Sequence, residues 1–206
     1  MTRVCDAIRG FYAVLDREDE ALARTLAGVA RVLQIRIKPR DGLVDTATIV
    51  RIARMARRVC DDVGTALVID DRVDIALAVR ADGVHLGQTD LSIADARELA
   101  GNRLWIGVST HDLDQVRAAC AAGSDYLGFG PVFATATKSN PDPVQGIERL
   151  RQAVIAAGAV PIVAIGGCTP LEAAAVYATG AAAICAIGAI NDAADIATAA
   201  RAMQRT

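Results

Sequence analysis

At 206 residues with a formal net charge of −2, the chain is sized for one domain and can bury roughly 70% of the surface its unfolded form exposes. It has no dense block of Lys or Arg and so lacks the basic stripe expected of a nucleic-acid surface, which leaves DNA and RNA out of the expected partners. Its five cysteines, Cys5, Cys60, Cys120, Cys168 and Cys185, are odd in number and form no C-x-x-C pair, so neither a disulfide framework nor a zinc site is expected and a reducing cytoplasm fits best.

The chain opens on Met1-Thr-Arg3-Val-Cys5-Asp6, a charged stretch with no long apolar run, and no signal peptide is read there. From residue 11 onward, short β-branched runs alternate with longer amphipathic segments at intervals of roughly 25 residues. Strands are predicted over residues 11–15, 32–37, 66–69, 83–86, 105–108, 126–129, 162–165 and 183–187. Helical stretches between them include residues 46–61, 92–100, 113–122, 147–157 and 171–179. Several open on Ser, Thr or Asp, and Gly101, Gly123, Gly158 and Gly180 sit at helix ends. Strands as uniformly apolar as Ile162-Val-Ala-Ile165 suit a parallel sheet buried on both faces. The late apolar run from Ala181 to Ile190 is too short to span a bilayer, so no membrane is expected. Eight β/α units predict a single-domain (β/α)8 TIM barrel over residues 1–206. An open doubly wound sheet competes, but no G-x-G-x-x-G fingerprint supports it.

Polar signatures stand where the hydrophobic runs end, and in a parallel barrel such strand ends converge on one rim. In Gln34-Ile-Arg36-Ile-Lys38, a period of two aims the three polar side chains to one face. Arg36 supplies a planar fork and Lys38 a point charge, a pair suited to a polyphosphate; a solvated strand end with Arg36 paired to a carboxylate is the plainer alternative. Asp70 and Asp71 follow the third strand and Asp90 follows the fourth, offering the hard oxygen ligands that Mg2+ takes with waters and phosphates. Asp71 and Asp90 could equally be helix-cap or loop residues. His85 reads as a hydrogen-bonded core residue and His111 as a helix-start residue, with no catalytic role for either.

Further on, Gly128-Phe-Gly130-Pro131 leads into Thr135-Ala-Thr137-Lys138, two hydroxyls and a cation that can wrap a phosphate, or a simple turn. Gly166-Gly167 and Ile187-Gly188 close the seventh and eighth strands, where barrels hold phosphates on backbone amides. Cys168 reads as a packing residue, since nothing marks it as activated.

Taken together, Q-I-R-I-K, the acid after L-V-I-D, D-G-V-H-L-G-Q-T-D, G-V-S-T-H, D-Y-L-G-F-G-P-V-F with T-A-T-K, A-I-G-G and A-I-G-A-I resemble, in order and spacing, the thiamine-phosphate synthase family, also called thiamine-phosphate pyrophosphorylase. The resemblance runs from the second strand to the eighth. It implies a transferase in which the thiazole nitrogen of a thiazole phosphate displaces pyrophosphate from 4-amino-5-hydroxymethyl-2-methylpyrimidine diphosphate. It further implies Mg2+ on Asp71 and Asp90, and pyrophosphate on Gln34, Arg36, Lys38 and Lys138. Ser109 would meet the pyrimidine side, Asp70 would be a substrate-binding residue beside the metal and diphosphate, and Arg36, Lys38, Lys138 and Ser109 would be the catalytic residues. Thr135, Thr137, Gly167, Ile187 and Gly188 would meet the thiazole phosphate.

Two positions depart from the family pattern: Asp70 stands where Asn is usual, and Gly188 stands where Ser is frequent. The related thiazole tautomerases share the thiazole pocket without the full metal and pyrophosphate set, and a non-catalytic barrel sensing a thiamine precursor is a third reading. The intact set here favours the synthase. The expected partners are small-molecule substrates, and a homo-oligomer is compatible with everything in the chain.

Overall fold

A computed structural model describes residues 4–38, 44–135 and 143–205. After α1 (Val4–Ala7), eight parallel strands succeed one another around a closed barrel: β1 (Gly10–Leu15), β2 (Val32–Ile35), β3 (Ala66–Asp70), β4 (Gly83–Leu86), β5 (Trp105–Thr110), β6 (Tyr126–Phe129), β7 (Ile162–Ala164) and β8 (Ala183–Cys185), with β8 paired back onto β1. The open doubly wound alternative is thereby overturned. Parallel neighbours need a crossover. It is made by α2 (Glu20–Ala27), α3 (Thr46–Val63), α4 (Val73–Ala78), α5 (Ile93–Ala100), α6 (Leu113–Ala121), α7 (Gly146–Ala157) and α8 (Ala173–Tyr177), before α9 (Gly188–Asn191) and α10 (Ile196–Ala202) end the chain. Asp19, Asp45, Ser92, Asp112 and Asp195 each accept the amide three residues on, which satisfies an orphan donor at the starts of α2, α3, α5, α6 and α10. Among the described residues no helix is long and apolar enough to cross a membrane.

Strand alternation builds two cores. Phe11, Leu33, Leu67, Val84, Ile106, Leu127, Ile162 and Ile184 point outward into the layer under the helices. Tyr12, Val14, Val32, Val68, Trp105, Tyr126, Val163 and Cys185 fill the barrel interior. Large interior side chains require small neighbours. A Cβ at Gly107 would clash with the hydroxyl end of the Tyr126 ring, and one at Gly128 would come within 3.2 Å of His85 Cε1.

Several element boundaries differ from the predicted ones. β2 ends at Ile35 instead of residue 37: Arg36 N–H still reaches Leu15 O, after which the chain leaves the ladder. β8 ends at Cys185 instead of residue 187 because Ile187, at φ −110° and ψ −83°, already turns into α9. At the opposite rim, Asp82 Oδ2 accepts from Leu67 N–H at 2.8 Å and Asp125 Oδ2 from Ile106 N–H at 2.7 Å. Arg57 and Arg97 pair with the same two carboxylates. This N-terminal rim is built for stability.

Candidate functional site at the C-terminal rim

The strand ends of the opposite rim surround a cavity of about 840 Å3. Arg36, Lys38, Asp70, Asp71, Asp90, Ser109, Thr135, Gly167, Ile187 and Gly188 all line it. Gln34 lies just beneath, 5% exposed, and donates from Nε2 to Asp70 Oδ1 at 2.6 Å. Thr137 and Lys138 lie outside the described residues.

The period of two in Gln34-Ile-Arg36-Ile-Lys38 brings all three polar side chains to one carboxylate. Asp70 Oδ2 stands 3.5 Å from Arg36 Nε and 3.3 Å from Lys38 Nζ, and Lys38 Nζ is 3.1 Å from Asp71 Oδ2. Burial opposes the charge on Lys38, but the Asp70 and Asp71 carboxylates outweigh it and its pKa is raised. Asp70 is raised as well, because burial outweighs the pull of Lys38 and Arg36. Arg36 is thus paired to a neighbouring carboxylate, which is the plainer of the two expectations for this strand end, and with Lys38 it also lines the cavity.

Neither Asp71 nor Asp90 is a helix cap. The N-cap of α4 is Arg72, which makes no side-chain cap bond, and that of α5 is Ser92. Asp71 instead adopts φ +60°, a conformation costly for a non-glycine residue and concentrated at functional sites. Asp90 Oδ2 accepts from Gly87 N–H at 2.7 Å. Burial, partly offset by that amide and reinforced by a hydrogen bond with Asp71 and its charge, raises the Asp90 pKa. The Asp71 and Asp90 carboxylates lie within hydrogen-bond reach of each other beside Lys38, and hard oxygen donors of this kind suit a divalent cation. No cluster of three or more His, Cys, Asp or Glu ligands occurs among the described residues. Mg2+ does not need one, because it takes one or two carboxylates and completes its shell with water and phosphate oxygens.

Across the cavity the wall is backbone. Gly166 and Gly167 have φ of +90° and +66°, and a Cβ at Gly167 would come within 2.7 Å of Phe133 C. Glycine therefore lets the loops after β6 and β7 lie against each other, between the cis Gly130–Pro131 turn and Thr135. Cys168 is buried and its thiol is pushed up to about 12 by desolvation, in keeping with a packing role.

Neither histidine is marked as functional by its sequence pattern, yet both bear on the cavity. His111 lines it and bonds Gly130 O through Nδ1 at 2.6 Å. His85 is hydrogen-bonded in the interior as expected, but one partner is Ser109 Oγ, 2.9 Å from Nε2, on the cavity wall. The other is Tyr126 OH, 3.1 Å from Nδ1. Burial first, then Arg36 and Lys38, push His85 down to about 4, so it is neutral near pH 7. The signal that could have placed it was the strand alternation applied to Gln34 and Arg36: His85 sits between outward Val84 and Leu86.

A family profile for thiamine monophosphate synthase matches residues 11–202. The chain belongs to this family. Thiamine-phosphate synthase of Moorella thermoacetica is 42% identical over 185 residues, covering 90% of this chain and 86% of that protein. The protein of the same name from Methanoregula boonei is 43% identical over 175 residues, covering 85% and 79%. Among solved structures, thiamine phosphate pyrophosphorylase from Pyrococcus furiosus superposes with a TM-score of 0.84 at 36% identity, covering 96% of this chain and 94% of that one. A 3-hexulose-6-phosphate synthase structure, at 20% identity and a TM-score of 0.68, shares the fold alone.

Proposed function

We propose that the chain is a thiamine-phosphate synthase, joining a pyrimidine diphosphate to a thiazole phosphate with release of pyrophosphate. One observation carries the residue assignment: Arg36 and Lys38 stand beside the Asp71 and Asp90 pair on one wall of a single cavity. Arg36, Lys38 and Lys138 hold the diphosphate, with Gln34 acting from beneath through its bond to Asp70 and Ser109 at the pyrimidine. Thr135, Thr137 and the backbone of Gly167, Ile187 and Gly188 hold the thiazole phosphate. Asp71 and Asp90 hold Mg2+, which when bound supplies counter-charge to the departing pyrophosphate.

The C–O bond to the diphosphate breaks with its electron pair on the leaving group, and the thiazole nitrogen's lone pair forms the new C–N bond to the pyrimidine methylene. Positive charge left on the pyrimidinylmethyl carbon and negative charge on the leaving oxygen develop together. Arg36 and Lys38, already oriented by Asp70, stabilise the latter. The attacking nitrogen carries no proton, so no strong base is required, and the neutral His85 suits that requirement. A tautomerase or a precursor sensor would leave these cations without a polyphosphate to bind. The enzyme works as one domain on soluble small molecules in the cytoplasm. The test is metal dependence: activity should vanish in excess EDTA, and Asp90→Asn should lower the rate roughly a hundredfold or more. Full activity in EDTA contradicts the reading.

A further inference from the structure

Below the cavity floor, hydrogen bonds cross the barrel interior through six strands without a break. Ser109 Oγ on β5 is 2.9 Å from His85 Nε2 on β4, and His85 Nδ1 is 3.1 Å from Tyr126 OH on β6. Tyr126 OH is 2.9 Å from Tyr12 OH on β1, which donates at 2.9 Å to Gln34 Oε1 on β2. Gln34 Nε2 then donates at 2.6 Å to Asp70 Oδ1 on β3. Both tyrosines are buried, and Gly107 and Gly128 leave the space that Tyr126 and His85 fill.

Each link fixes the next. The Asp70 carboxylate, flanked by Arg36 and Lys38, accepts, so Gln34 turns its amide nitrogen to it and its oxygen to Tyr12. Tyr12 spends its proton on Gln34 and can only accept from Tyr126. Tyr126 spends its proton on Tyr12 and can only accept from His85 Nδ1–H. A neutral imidazole protonated at Nδ1 is bare at Nε2, so Ser109 must give its hydroxyl proton inward. We propose that Tyr12 and Tyr126 are positioning residues: they set the tautomer of His85 and thereby hold the Ser109 hydroxyl with its lone pairs toward the cavity, as an acceptor for an N–H donor on the bound heterocycle. The identity of that heterocycle rests on the function proposed above; the interior chain and its polarity do not.

The polarity is read directly in the substrate-free protein by 15N NMR of the His85 ring, which separates a protonated nitrogen from a bare one. Wild-type protein should carry its ring proton on Nδ1. Tyr12→Phe does not touch His85, yet it removes the acceptor for Tyr126, whose hydroxyl must then donate to Nδ1. The ring proton should move to Nε2, with kcat/KM for the pyrimidine diphosphate falling roughly tenfold and KM for the thiazole phosphate unchanged. Asp70→Asn keeps an oxygen for Gln34 and should leave the tautomer as in the wild type. An Nε2–H ring in the wild type overturns the proposal even if Tyr12→Phe does not fold. A Tyr12→Phe ring still protonated at Nδ1 overturns it whatever happens to activity. Active protein with the wrong tautomer discards this inference and keeps the function, whereas the expected tautomer in a protein that forms no thiamine phosphate does the reverse.

Discussion

Asp70 stands where the family resemblance leads one to expect Asn, and its surroundings say what a carboxylate does there. Its Oδ2 meets no hydrogen-bond donor among the described residues and is instead paired with Arg36 and Lys38. In the proposed reaction it would compete with an incoming diphosphate for the same cations. Asp70→Asn removes that competition while retaining the Gln34 contact. The apparent KM for the pyrimidine diphosphate should fall roughly three- to tenfold, with little change in the thermal midpoint; steady-state kinetics showing a raised KM would contradict this. His85 supplies the pH dependence at this scale. Its pKa is about 4 in the fold against 6.5 as a free side chain, so between those values the unfolded chain binds the extra proton. The stability tied to neutral His85 is fully present above about pH 6.5 and is lost as pH falls through about 4, by about 3 kcal/mol in all. Arg36 and Lys38 reinforce the effect, Asp90 opposes it, and Ser109 and Tyr126 complete the ring's surroundings. Denaturant midpoints measured from pH 7 to pH 4 should show His85→Gln losing less stability than the wild type, and equal slopes would rule the effect out.

At the level of elements, the two rims divide the work. On the N-terminal rim Asp125 joins the start of β5 to Arg97 of α5 through one oxygen, 2.7 Å from each donor. Asp125→Ala should cost about 1–3 kcal/mol by leaving the Ile106 amide unsatisfied and Arg97 unpaired, while KM for both substrates stays put, since the site lies at the other end of the strands. A chemical-denaturation series with parallel kinetics checks both halves of that statement. How much of these elements can be read from the sequence depends on what terminates them. β4 and β6 end where the residue pattern ends, because turn chemistry follows at once. β2 and β8 stop early, because the chain leaves the ladder after Arg36 and turns at Ile187 on reaching the cavity, a tertiary effect with no local signature. Asp71 illustrates the same limit: the cap pattern Asp71-Arg72-Val73-Asp74 is present, yet φ +60° turns its carboxylate to the rim and leaves Arg72 at the cap position. His85 was legible in principle, since alternation on β4 points it inward, but its tie to Ser109 depends on the closure of the barrel.

For the molecule as a whole, eight strand ends converge because the sheet closes, and closure turns scattered short motifs into one cavity with cations and carboxylates on one wall and glycine backbone on the other. The two cores explain why that cavity can be polar. The layer under the helices carries the burial that holds the fold, and the interior is free to contain hydroxyls, an amide and an imidazole. In the proposed reaction this wall serves the departure of pyrophosphate during a two-substrate condensation. Its most direct test is to incubate purified protein with the pyrimidine diphosphate, the thiazole phosphate and Mg2+, and to follow pyrophosphate and thiamine phosphate in the same reaction. The two products should appear in equal amounts and at the same rate. Conversion of a thiazole tautomer with no pyrophosphate released would contradict it.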